Sequence, residues 1–153
     1  MKVAILGKCN GKLHAPYSNK QWQIWGCNKH KDFEKILRYD LWFDIHKKRY
    51  EYNIPTEKLV TFKTYPFEEV NEKLFNGKNF CNNSISYMIA YAIYKGATDI
   101  SLYGCRFDID FEQRKAEKQN VINMLYFAMG KGLNVESYEG LLAEVFYTEM
   151  YKE

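Results

Sequence analysis

Cysteine and histidine are scarce in this chain of 153 residues, and no apolar run in it is long. Each shortage argues against a class of protein. Four cysteines, Cys9, Cys27, Cys81 and Cys105, stand far apart with no CxxC pair, which speaks against a disulfide scaffold and predicts reduced thiols. A metal site drawn from Cys9, Cys27, Cys105 and a histidine lacks the closely spaced ligand pair that structural zinc sites usually supply, so neither metal nor cofactor is expected. No stretch approaches the ~18 to 20 apolar residues a bilayer requires, and the opening run is too short for a signal peptide. The sequence therefore reads as soluble and cytoplasmic, with no membrane partner. A charge excess of one sign is absent too: 22 basic against 19 acidic residues leave +3, scattered along the chain, which argues against a nucleic-acid binder. There is no repeat, linker or low-complexity stretch, and 153 residues predict a single domain spanning the whole chain.

What is present is an ordinary globular balance, 46% apolar and 27% charged, with an aromatic share of 17%. Lys, Asn, Tyr and Ile are abundant while Arg and Ala are scarce, as an AT-rich bacterial or phage coding sequence produces. A phage origin would put the protein in the host cytoplasm. Self-association is compatible with the sequence, which does not fix the oligomeric state.

Residues 2–6 form a continuous apolar run closed by Gly7, suited to a strand buried on both faces of a parallel sheet. Residues 22–27 and 41–45 are the next aromatic and β-branched runs, and residues 59–62, between Pro55 and Pro66, predict an edge strand or irregular segment. Ser84 opens a helix with Ile85, Met88, Ile89, Ala92 and Ile93 at helical spacing and Gly96 as its stop. A strand follows at 99–103. Helix then strand recurs at 115–131 and 133–136, and Leu141, Leu142, Val145, Phe146 and Met150 mark a terminal helix. Strands alternating with helices predict a Rossmann-like, doubly wound α/β fold: a mostly parallel sheet with helices on both faces.

In such a sheet ligands bind outside the carboxyl ends of the strands. After the first strand stand Gly7, Lys8, Asn10 and Gly11; after the second, Asn28, Lys29 and His30; after the third, Asp44, His46 and the basic run Lys47-Lys48-Arg49. Gly104 closes the 99–103 strand and Arg106 follows it, while Ser84 starts the central helix as its expected cap. All three histidines, His14, His30 and His46, fall on this edge. G-x-x-x-G is looser than a dinucleotide fingerprint and lacks the phosphate-loop lysine and hydroxyl, so it reads equally as a bare strand-to-loop turn.

The stretch Asn83-Ser84-Ile85-Ser86-Tyr87-Met88, the helix ending in Gly96 and the strand Asp99-Ile100-Ser101-Leu102-Tyr103-Gly104 resemble the central motif of the bacterial family 42 sialyltransferases and related Rossmann-like proteins, many of them phage-encoded. Gly7 and Asn10 look like that family's glycine-rich nucleotide loop, and Gly26-Cys27-Asn28 like its second-strand ending. The resemblance spans about residues 1–110 and implies that Gly7, Asn10, Asn28 and Ser84 contact a cytidine nucleotide. The family's catalytic histidine and paired tyrosines, however, belong to a segment that here reads Arg106 to Arg114 and contains neither residue type. Arg106 also replaces an acidic residue of the family. The expectation is a small protein that binds a nucleotide or nucleotide-sugar at the carboxyl edge, as a minimal glycosyltransferase-like enzyme with His46 as base and Asp44 orienting it. The alternative is a non-catalytic phage protein that sequesters a nucleotide signal or acts through protein contacts.

Overall fold

The computed structural model describes residues 1–47, 53–107 and 112–142. Six strands form one sheet: β1 (Lys2–Leu6), β2 (Trp22–Cys27), β3 (Leu41–Asp44), β4 (Leu59–Thr61), β5 (Asp99–Tyr103) and β6 (Asn134–Ser137). Their order is β4-β3-β2-β1-β5-β6, and every pairing is parallel. The chain winds outward from β1 toward β4, then crosses back to lay β5 on β1's free side, so the order reverses between β1 and β5. In open α/β sheets such a reversal marks where ligands bind, outside the carboxyl ends of the two strands.

The central strands are largely apolar because both faces are covered. Val3 and Ile5 of β1, Trp25 of β2 and Phe43 of β3 face α1 (Phe67–Phe75), α2 (Ser84–Tyr94) and α3 (Glu112–Gly130), where Met88, Ile89, Val121, Met124 and Leu125 close the larger core. Ala4, Leu6, Ile24 and Trp42 alternate to the opposite face and meet Ala15, Ile36 and Ile54. Helices thus flank the sheet on both sides but are unequal. The three α-helices share one face, while short 3-10 helices, Asn10–His14 and Phe33–Lys35, and their loops cover the other.

The structure settles one open expectation and adds one element. Residues 59–61 are a true parallel edge strand on β3, since the flanking prolines lie outside the ladder. Helix α1 was not anticipated. Its signals are Pro66 before it, Glu68 and Glu69 in its first turn, and Asn76 in the left-handed conformation after it. Of the expected terminal helix, Leu141 and Leu142 stand in a turn and the rest, like Lys48 and Arg49, lies outside the described residues. No described helix is long and apolar enough to cross a membrane.

Candidate functional site

The carboxyl edge is built around one residue, Asn28, immediately after β2. Its φ of +57° is a left-handed turn that asparagine tolerates better than most side chains. The turn is held from two sides: the Asn28 N–H donates to the Phe43 carbonyl (3.0 Å), and the Trp42 indole donates to the Asn28 carbonyl (3.1 Å). With its backbone satisfied, the side chain reaches across to α2, where its amide donates to the Ser84 hydroxyl (3.2 Å). The Asn28 Oδ1 is buried and has no hydrogen-bond partner among the described residues. A buried acceptor left without a hydrogen bond costs about 1–3 kcal/mol, so a donor reaching this oxygen would be favourable.

Ser84 is free for such a site because it does not cap its helix. Asn83 does: its Oδ1 accepts from the Ser86 N–H (3.0 Å), and its Nδ2 donates to the Ser86 hydroxyl (2.8 Å). The expected cap therefore belongs one residue earlier, and the Ser84 hydroxyl, in the first turn of α2, faces the sheet edge.

The crevice between β1 and β5 is a second cluster. Gly7 is buried there, donating its N–H to the Tyr103 carbonyl (2.7 Å), while Cys9 donates to the Gly104 carbonyl (3.0 Å). A Cβ on Gly7 would lie 2.7 Å from the Gly104 carbonyl carbon and 2.8 Å from the Cys105 Sγ, so glycine is required by the closeness of the two chains. Gly104 has φ +82°, and a Cβ there would fall 2.6 Å from the Cys9 carbonyl oxygen. Into this crevice projects the carboxylate of Glu139, from the turn after β6. It accepts from the N–H groups of Gly104 and Cys105 (3.2 Å to the latter) and packs against Gly11. Beside it Tyr138 stacks on His14 (centroids 4.7 Å apart).

A third group lies beneath the first 3-10 helix. Lys12 is fully buried, donating to the Asp32 carboxylate (2.7 Å) and to the Lys8 carbonyl (2.8 Å). His30, also buried, sits against Trp42 with its Nε2 on the Cys27 carbonyl (3.0 Å) and its Nδ1 without a partner among the described residues. Burial, then the charge of Lys12, pushes its pKa down to about 4. His30 is accordingly a neutral imidazole near pH 7 and a weak proton acceptor there. Asp44 ends β3 in a buried position and His46 stands exposed two residues on. Lys8, Asn10, Lys29 and Arg106 are exposed around the rim. Burial raises the Cys27 thiol to about 12 and also pushes the Cys105 thiol well above its ordinary value, so both are inert, protonated core residues near pH 7.

The structure thus joins Asn28 to Ser84, gathers Gly7, Gly104 and, through Glu139, Gly11, and buries His30 against Trp42. The sequence reading missed Glu139 and Asp32, and placed Lys12 at this edge only by its position after the first strand. Glu139 stands two residues past the end of β6, and inspection of every strand end would have found it. The burial of Lys12 leaves no mark in a sequence where lysine is common. A broad groove of about 760 Å³ lies elsewhere, lined by Glu68, Glu69, Glu72, Lys73 and Tyr94 near the far end of α2, and its acidic wall does not suit a phosphate.

No protein-family model matches this chain, and neither does any curated protein. Among solved structures it is similar to sialyltransferase CST-II in complex with a trisaccharide acceptor and CMP, at 16% identity and TM-score 0.46, over 90% of this chain and 81% of that one. A point mutant of alpha-2,3/8-sialyltransferase CstII is similar at 16% identity and TM-score 0.47, with the same coverage. CstII from Campylobacter jejuni in complex with the substrate analogue CMP-3FNeuAc is similar at 16% identity and TM-score 0.44, again over 90% and 81% of the two chains.

Proposed function

We propose that this protein binds a nucleotide or nucleotide-sugar at the carboxyl edge of its sheet, with Asn28 and Ser84 as the residues that recognise it. The observation that carries the reading is the Asn28 side chain: its turn is pinned by two backbone contacts, its amide is aligned by Ser84, and its remaining oxygen is buried without a donor. An exocyclic amine or a ribose hydroxyl supplies that donor, and a site built to make such a bond rejects ligands that cannot. Lys8, Lys29 and Arg106 around the rim favour an anionic ligand.

In the catalytic version of this reading the protein is a minimal glycosyltransferase-like enzyme. His46 accepts the acceptor's proton, and Asp44, two residues earlier, orients it. Sialyl transfer itself is not expected, because residues 106–114 hold no histidine or tyrosine. Incubation with a cytidine-linked sialic acid and galactoside acceptors should release no cytidine monophosphate; release that disappears with His46→Ala would establish a rearranged active site instead. The second reading is a non-catalytic protein of phage type that sequesters a nucleotide; it needs no proton acceptor, and the buried, hydrogen-bonded His30 of this edge supplies none near neutrality. A thermal-shift panel of nucleotides and nucleotide-sugars tests the binding common to both. A ligand that binds only the folded state adds ~2.7 kcal/mol at ~100 Kd. Stabilisation by at least one cytidine or other nucleotide is expected, and a panel with no response sinks the reading.

A further inference from the structure

The Glu139 carboxylate occupies a place with the character of an anion site. Two successive backbone N–H groups, those of Gly104 and Cys105, converge on it at the crevice where the strand order reverses. Consecutive main-chain N–H groups in a tight turn form a concavity that attracts negative charge. Around it Gly7, Gly11 and Gly104 remove side-chain bulk: a Cβ on Gly11 would lie 2.8 Å from the Glu139 Cδ, and the Gly7 and Gly104 chains touch each other. The chain itself supplies the occupant, from a turn that the Tyr138–His14 stack fastens over the first 3-10 helix.

We propose that Glu139 is an internal stand-in for a phosphoryl group: the Gly104–Cys105 cradle is an anion site that Glu139 holds closed, so this residue decides whether a ligand's phosphate can enter the crevice. For the ligand class, a nucleotide phosphate, the inference rests on the function proposed above. The physical reason is competition for two donors. The N–H pair can serve one anion, and a phosphate carrying about −1.5 to −2 charges cannot approach while a carboxylate fills the same space. The tethered carboxylate has the advantage of effective concentration over a free anion. With Glu139 in place, the phosphate of a bound nucleotide is held outside the crevice, toward exposed Lys8 on the Asn28 side. With Glu139 displaced or neutralised, the phosphate moves onto Gly104 and Cys105.

Inorganic phosphate, titrated into ¹⁵N-labelled protein, tests the cradle without reference to any nucleotide. In the parent, and in Glu136→Ala, which removes the same charge from an exposed position on β6, the Gly104 and Cys105 amide signals should stay unmoved. In Glu139→Ala the same two signals should shift saturably, with an apparent affinity for phosphate at least tenfold tighter. Glu139→Gln keeps the side chain's shape, loses its charge and should lie between. Should Glu139→Ala not fold, Glu139→Gln decides alone, with at least a threefold gain expected. An equal response in parent and variants, a response confined to other amides, or no response in a folded variant would each overturn the proposal. Titration with uncharged cytidine separates the two claims. Its affinity should not change with Glu139, and its failure to bind, with phosphate still moving Gly104 and Cys105 in Glu139→Ala, would count against the nucleotide reading alone.

Discussion

Two neighbouring residues at the start of α2 divide labour that the sequence assigns to one. Asn83 caps the helix with its side-chain oxygen and also reaches the Glu117 carbonyl (3.3 Å), whereas the Ser84 hydroxyl faces Asn28. Asn83→Ala should therefore lower unfolding stability by about 1–2 kcal/mol, and Ser84→Ala by a few tenths, in urea titrations. The reverse ranking would return the cap to Ser84. His30 makes a second prediction at this scale. The unfolded chain protonates it near 6.5 and the folded chain only near 4, so its contribution is complete above pH 6.5 and lost as pH falls through that window. The full shift corresponds to a contribution on the order of 3 kcal/mol. Urea midpoints measured at pH 7 and pH 4.5 should drop steeply for the parent and less for His30→Phe. Parallel profiles for the two proteins would mean that His30 is not the titrating group.

At the scale of elements, β2 and β3 are locked by a glycine and a tryptophan. Gly26 and Trp42 are register partners, and the Trp42 ring lies where a Gly26 side chain would be. Because the same Trp42 donates to the Asn28 carbonyl, displacing it disturbs the binding turn as well as the core. Gly26→Ala should cost about 1–3 kcal/mol by overpacking, with an altered near-ultraviolet circular dichroism signal from Trp42. An unchanged midpoint and spectrum would show that the ring has room to move. Elements such as these were legible to different degrees. The strands at 2–6, 22–27 and 99–103 announced themselves, because a strand covered on both faces is mostly apolar and rich in β-branched and aromatic residues. Helix α2 was equally plain from its spacing and from Gly96. Helix α1 was not, since nine residues with a single fully buried apolar position, Val70, give little periodicity. The closeness of Asn28 and Ser84, 56 residues apart, was implied only by the family resemblance, and the reach of Glu139 to Gly104 by nothing in the sequence, because both are long-range consequences of strand order. What the sequence does reveal is that these residues end up on one edge, and the burial of His30 and Lys12 shows how little that says about which of them meets solvent.

For the whole molecule, an all-parallel sheet whose order reverses beside its first strand gathers the polar strand ends on one side and leaves the apolar strands to the interior. The architecture creates the edge; the chemistry there depends on a handful of side chains, and shared fold does not by itself transfer an activity. The central claim is that a nucleotide meets the Asn28 side chain, and its most direct test is the side-chain amide signal of Asn28 in ¹⁵N-labelled protein during titration with the best ligand of the nucleotide panel. Asn28→Gly serves as the control, because it keeps the left-handed turn open to the backbone while deleting the side chain. The account predicts a saturable shift of the Asn28 side-chain and Ser84 backbone signals in the parent, and at least tenfold weaker binding in an Asn28→Gly protein that remains folded. Saturable binding that leaves both signals in place, with equal affinity in the glycine variant, would contradict it.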